Sequence, residues 1–251
     1  TSLEGREIIL LAGLAYPDAK LPAFVFAAQT ARALGATSVG LAAPYLPYMR
    51  QDTMFQPGES VTSVHFAKLI SSSVDWLVTM DPHLHRWHAL SDIYDIPTKV
   101  SHAASAMAAW ITLEVDKPLL IGPDSESKQW VSEMAALADA DHVILSKTRR
   151  GDRDVEIALQ DLRPWQNHTP VLVDDTISTA STMIAATRLV LNQGLRPPVC
   201  CAVHAVFGGD SDKALREAGA ARIVTTNTIA HASNRIDISA ALAEAVRSIR
   251  P

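Results

Sequence analysis

Cysteine is almost missing from this chain. Its 251 residues hold two, Cys200 and Cys201, side by side. Disulfide geometry strains a bridge across a single peptide link, so an internal disulfide framework is excluded. No CxxC or Cys/His spacing is present, which excludes a zinc module of that kind. A reducing cytoplasm is the expected setting. Positive charge is not in excess either: 22 Lys and Arg stand against 27 Asp and Glu, for a net charge of -5. That balance excludes a surface that coats nucleic acid and leaves room only for a local cationic site. Long apolar runs are also lacking. IILLAGLA, at residues 8–15, is far shorter than a membrane span, and no signal peptide is visible. Neither nucleic acid nor a membrane is an expected partner. An initiating methionine is missing too; the chain opens on Thr1 and an upstream segment is expected.

What is present is a hydrophobic fraction of 48%, enough for a full core in one large domain or two ordinary ones. Short apolar runs alternate with helical stretches. Strands are expected at 7–13, 37–45, 75–80, 118–122, 142–146, 171–173, 199–207 and 221–226. Helices are expected at 21–34, 60–72, 103–114, 125–138, 180–193 and 238–249. This alternation predicts an α/β fold with mostly parallel sheets flanked by helices. The strands are near-continuous apolar runs, as when helices cover both faces. Residues 82–97 read as loop, so a domain boundary is placed near 98, giving units 1–97 and 98–235. The final helix, within 236–251, is expected to return to the first unit.

Open α/β sheets bind ligands at the carboxyl ends of their strands. Five such ends carry unusual polarity. PYLPYMRQD puts Arg50, Gln51 and Asp52 past a strand, where a solvated loop is the competing explanation. TMDPHLHRWH puts Asp81, His83, His85 and His88 past another; these suit a divalent metal or a phosphate, or are surface histidines. His85 and His88 are expected to face solvent. IGPDSES ends on Asp124, which is also ordinary N-cap chemistry. ILSKTRRGDRD gathers Lys147, Arg149, Arg150 and Arg153, an anion partner or an exposed basic loop.

The fifth, VLVDDTISTASTM, is the most specific. Asp174 and Asp175 follow three apolar residues, and a hydroxyl-rich loop then meets a helix. Backbone N–H groups in such a turn converge on an anion, and the helix dipole favours it. Like charges repel, so the two acids fit a sugar diol or a metal instead. A plain capped helix explains Asp175 or Thr176, but not two acids and four more hydroxyls.

VLVDDTISTAST resembles the phosphoribosyl diphosphate (PRPP) loop of type I phosphoribosyltransferases, in the version found in ribose-phosphate pyrophosphokinases. PYLPYMRQD, TMDPH, PGESVTSVHFAKLI, SKTRR, HAVFGGDSDKAL and TTNTI resemble other segments of that family, in the same order. The resemblance covers residues from about 5 to 248. It implies two phosphoribosyltransferase-like domains with the active site between them. It implies a cytoplasmic, magnesium-dependent enzyme of nucleotide biosynthesis, assembled as a dimer or hexamer. The implied reaction moves the diphosphoryl group of ATP to the 1-hydroxyl of ribose 5-phosphate, giving PRPP and AMP. Carried over, Arg50, Gln51 and Asp52 contact ATP, and His83 stands by the ATP phosphates and Mg2+. Asp124 lies near the metal and ribose, and Asp174 and Asp175 hold the ribose hydroxyls. Thr176, Ser178, Thr179, Ala180, Ser181 and Thr182 belong to the 5-phosphate cradle, and Lys147 and Arg149 close over the transferring group.

The chain also departs from that pattern. Ser181 stands where the family's loop has glycine, Glu126 and Ser127 replace glycines after Asp124, and Thr53 replaces a basic residue. The family's amino-terminal Phe-x-Asp-Gly-Glu motif is not found. These departures keep two competing readings: a related phosphotransferase with a different sugar phosphate or nucleotide, and a non-catalytic regulatory homologue.

Overall fold

The computed structural model describes residues 2–124, 127–149, 155–158 and 161–249. Two units divide the chain. One runs to His102 and takes in the last helix from Ser239; the other spans Ala103–Ile238.

The first unit contains β1 (Glu7–Leu11), α1 (Leu21–Ala33), β2 (Ser38–Ala43), α2 (Thr62–Ser73), β3 (Trp76–Met80) and β4 (Thr98–Ser101). Its sheet has the order β1-β2-β3-β4, and every pairing is parallel. β2 and β3 are buried almost throughout, which is why they read as unbroken apolar runs. α1 turns Phe24, Ala28 and Ala31 inward, and α2 turns Phe66, Ala67 and Ile70 inward. That is helical spacing on one face of each. Gly40 registers with Trp76. A β-carbon at Gly40 would lie 1.9 Å from the indole, so only glycine admits that ring.

The second unit contains α3 (Ala104–Glu114), β5 (Pro118–Gly122), α4 (Lys128–Ala138), β6 (Asp141–Ile144), β7 (Ser146–Arg149) and β8 (Val155–Ala158). After them come β9 (Thr169–Ile177), α5 (Ser181–Asn192), β10 (Val199–Ala205), α6 (Ser211–Glu217), β11 (Arg222–Thr226) and β12 (Asn234–Ile236). The main sheet has the order β12-β11-β10-β9-β5-β6, again parallel, while β7 and β8 form an antiparallel pair. Cys200 and Cys201 lie fully buried on β10 as free thiols. Burial pushes both up to about 12, so neither is a nucleophile.

The last helix, α7 (Ser239–Ile249), packs on β3 and β4 through an inner face that includes Leu242 and Ala245. The Ser101 hydroxyl donates to the Ala241 carbonyl at 3.3 Å.

The structure differs from the sequence reading at the division point. β4 registers with β3 from Leu77↔Thr98 to Met80↔Ser101. Residues 98–101 therefore complete the first sheet, and the division falls after His102 rather than near 98. Among the described residues, no helix is long and apolar enough to cross a membrane.

Candidate active site

Strand order directs attention to one place in the second unit. From β5 the chain winds to β6 on one side; from β9 it winds through β10 to β12 on the other. β5 and β9 are neighbours, so the winding reverses between them. Ligands in open parallel sheets bind beyond the strand ends at such a reversal. Asp124 follows β5, and Asp174 and Asp175 lie on β9.

The acids are part of the strand. The sequence reading ends this strand at Val173, yet the ladder to β10 continues through Asp174↔Ala202, Thr176↔His204 and Ile177↔Ala205. On the other side, β5 registers with β9 only from Pro118↔Thr169 to Ile121↔Leu172. The acids thus sit on a strand extension that outruns β5. β10 is braced there in turn. β11 registers with it up to Ala202↔Thr225, after which the hydroxyls of Thr226 and Thr228 donate to the Val203 carbonyl at 2.8 and 3.0 Å. Buried His204 lies 2.9 Å from the Thr228 hydroxyl through Nδ1.

Burial, followed by the charges of Asp175 and Asp124, pushes the Asp174 carboxyl well above the usual carboxylate range. The Asp175 N–H donates to Asp174 Oδ1 at 2.9 Å and opposes that shift. Three carboxyls therefore crowd at the reversal point, with Asp174 the one driven towards its protonated form. Asp124 also holds Ser127, the N-cap residue of α4. Its Oδ1 accepts the Ser127 N–H at 3.3 Å, and its carbonyl accepts the Ser127 hydroxyl at 2.6 Å. Ser127 is buried, and its hydroxyl lies 2.3 Å from where a β-carbon on Gly122 would be. Gly122 makes room for the serine. Glu126 lies outside the described residues.

The hydroxyl loop leads into α5. Ala180 occupies the N-cap with φ 59°, a left-handed backbone, and supplies no capping oxygen. Ser181 is the first helical residue and Thr182 the second. The left-handed position is thus Ala180, and Ser181 is not among the positive-φ residues. Serine in glycine's place at 181 brings no backbone strain; what it adds is a hydroxyl, 3.0 Å from that of Thr179. The Ser178 carbonyl accepts the Ser211 hydroxyl at 2.8 Å and the Gly208 N–H at 3.2 Å, so the loop after β10 props this one. Thr176 is buried, whereas Thr179 is exposed at the loop's crest. Lys147 and Arg149 lie on β7, paired with Ile157 and Val155 of β8. Arg150 and Arg153 lie outside the described residues.

The first unit holds the other residues singled out by sequence. Arg50 is exposed. Gln51 is tied to the start of α2: its carbonyl accepts the Ser63 N–H at 3.2 Å, and its Oε1 accepts the Thr62 hydroxyl at 2.7 Å. Asp52 is buried and accepts two bonds from Arg86, the main-chain N–H at 3.2 Å and Nη1 at 2.7 Å. His85, expected to face solvent, is 39% exposed but also lies 3.8 Å from the Asp52 carboxylate. His83 and His85 rings stack at 6.2 Å. Asp81 has φ 33° and pairs with Nδ1 of His102 at 2.7 Å. Arg86, His102 and His204 are the contributors that sequence reasoning passed over. For Arg86 a signal existed, since a buried acid needs a cationic or N–H partner.

A family profile for the phosphoribosyl transferase domain matches residues 90–238. The ribose-phosphate pyrophosphokinase of Methanobrevibacter smithii is 28% identical over 254 residues, covering 96% of this chain and 84% of the relative. That of Methanosarcina acetivorans is 30% identical over 216 residues, covering 86% of this chain and 74% of the relative. A crystal structure of phosphoribosylpyrophosphate synthetase from Mycobacterium smegmatis overlays with a TM-score of 0.84 at 21% identity, over 99% of this chain and 84% of that one. The profile match and the second of these relatives, together with the acid-bearing strand end, establish that the chain belongs to the ribose-phosphate pyrophosphokinase family and carries a phosphoribosyl transferase domain.

Proposed function

We propose that this chain is a ribose-phosphate diphosphokinase: it transfers the diphosphoryl group of ATP to the 1-hydroxyl of ribose 5-phosphate, yielding PRPP and AMP. One observation carries the reading. Asp174 and Asp175 stand on a strand extension that runs within a few residues into the N-terminus of α5, where Ala180 supplies no cap. A sugar phosphate presents the matching pair of features, a diol for carboxyl groups and a dianion for helix N–H groups. Asp174 and Asp175 hold the ribose hydroxyls. Residues from Thr176 to Thr182 receive the 5-phosphate, with the main chain of Ser178 and Ala180 and the hydroxyls of Thr179, Ser181 and Thr182 as donors. Arg50 and Gln51, with His83, serve ATP. Lys147 and Arg149 supply cations to the transferring group.

In the reaction the 1-hydroxyl oxygen forms a bond to the β-phosphorus, its proton is lost, and the bond from that phosphorus to the AMP oxygen breaks. Such a transfer is served by positioning and charge neutralisation more than by covalent chemistry. Mg2+ suits the crowded acids. Its preferred ligands are oxygens, from one or two carboxylates together with substrate phosphates, and the family resemblance adds a nitrogen of His83. Among the described residues, no group of three or more His, Cys, Asp and Glu side chains could hold a metal ion by itself. Asp124 and His83 are the proposed donors on the ribose and nucleotide sides. When bound, the ion supplies neutralisation of phosphate charge. The free thiols on β10 fit a cytoplasmic setting, and the family resemblance supports a homo-oligomer.

The test is AMP release from ATP and Mg2+, with and without ribose 5-phosphate. Release that depends on the sugar phosphate supports the reading. ADP in place of AMP would indicate simple kinase chemistry, and no product at all would favour a regulatory homologue.

A further inference from the structure

We propose that Arg86 is a positioning residue for the nucleotide side of the reaction. Acting through Asp52, it locks the turn carrying Arg50 and Gln51 onto the loop carrying His83. The inference rests on the diphosphokinase reading and changes one role within it: Asp52 holds protein, and does not hold ATP.

Asp52 is almost wholly enclosed by protein. Its side chain is 2% exposed, and its carboxylate accepts both bonds from one residue, Arg86. His85 adds a third contact at 3.8 Å. A carboxylate so enclosed has no face to offer a nucleotide, and its charge would repel the phosphates of one. The next residue extends the grip. Trp87 Nε1 donates to the Ser63 hydroxyl at 3.3 Å, and Ser63 is fully buried at the start of α2. The Ser63 N–H in turn donates to the Gln51 carbonyl, and the Thr62 hydroxyl to the Gln51 side chain. Arg86 and Trp87 therefore seize the turn at two points, at Asp52 directly and at Gln51 by way of α2. His83 is three residues before Arg86, so the same grip sets its register. The turn is otherwise held at Tyr48, whose carbonyl accepts the Gln51 N–H at 3.0 Å and whose backbone is left-handed at φ 65°. Arg86 is 46% exposed and lies 5.7 Å from the Phe55 ring, so its aromatic contact covers the following segment as well.

Four variants test this: Arg86→Met, Arg86→Lys, Asp52→Asn, and Arg86→Met with Asp52→Asn. Each is measured for kcat, for KM of ATP and of ribose 5-phosphate, and for hydrogen exchange at the Gln51 and Ser63 amides. Arg86→Met is expected to raise KM for ATP about tenfold while leaving KM for ribose 5-phosphate unchanged. It should also speed exchange at both amides. Arg86→Lys, which keeps a charge within reach of the carboxylate, should recover most of the loss. The double variant should be no worse than its worse parent, because both substitutions break one contact. If Arg86→Met leaves a buried charge that prevents folding, Asp52→Asn and Arg86→Lys carry the comparison. Additive effects on KM for ATP would mean that Asp52 meets the nucleotide itself, and would overturn the proposal. Equal movement of both KM values would also overturn it. If the wild-type protein makes no PRPP, the diphosphokinase reading falls; unchanged exchange at Gln51 and Ser63 in Arg86→Met would then overturn the clamp on its own.

Discussion

Asp174 carries the sharpest electrostatic signature in the second unit. Its folded-state pKa is raised by burial and by Asp175 and Asp124 from an ordinary value of 3.8. Above that ordinary value the folded protein binds more protons at this group than the unfolded chain does, so its contribution to stability falls as pH rises through the folded pKa. Asp174→Asn removes that loss. The variant should melt above the wild type at neutral pH, and its advantage should shrink as pH is lowered towards 3.8; thermal melts across the pH range check this. A variant that melts lower at every pH would contradict it. Loss of ribose 5-phosphate binding should accompany the gain in stability, as expected when a site is built from mutually repelling groups. Ala180 is left-handed and Ser181 is helical. Ala180→Gly should stabilise by about 0.5–1 kcal/mol, because a left-handed alanine is strained by more than glycine's extra chain entropy costs. Ser181→Gly should destabilise by roughly the same amount, since glycine weakens a helix. Denaturant midpoints of the two variants should move in opposite directions.

The elements around the site explain what could be read from sequence and what could not. Buried strands and amphipathic helices announce themselves by apolar periodicity, so the parallel α/β fold and the order of strand ends were legible. Apolarity stops at Val173, however, while β9 continues to Ile177. Polarity marks where the strand leaves the core, and hydrogen-bonded pairing to β10 follows its own limit. The β7–β8 pair was missed because SKTR and VEIA mix charged and apolar residues with no long run. β12 spans three residues and α6 seven, too short for a periodic signal. The contact made by Asp52 was illegible for another reason: its partner Arg86 lies more than thirty positions away. A β-carbon at Gly122 would lie 2.3 Å from Ser127 Oγ and 2.8 Å from Ile144 Cδ1. Gly122→Ala should destabilise by about 1–3 kcal/mol, as overpacking does. It should also displace Asp124, whose oxygens hold Ser127. Lost activity with an unchanged denaturant midpoint would contradict the packing argument.

At the scale of the molecule, the chain returns to its beginning. α7 lies at the end of the sequence yet packs on β3 and β4 of the first unit. Removing residues after Ile238 uncovers Leu242's and Ala245's partners there, a loss on the order of 3 kcal/mol from apolar burial. Hydrogen exchange should accelerate in β3 and β4 and change little in β9 and β10. Uniform acceleration across both units would contradict this division. Phosphorus NMR of the product reads the reaction itself. With ATP, ribose 5-phosphate and Mg2+, the β- and γ-phosphorus atoms of ATP should appear together as a diphosphate on the sugar, in step with AMP. A sugar carrying only the γ-phosphorus, with ADP beside it, would rule out diphosphoryl transfer, as would unchanged substrates.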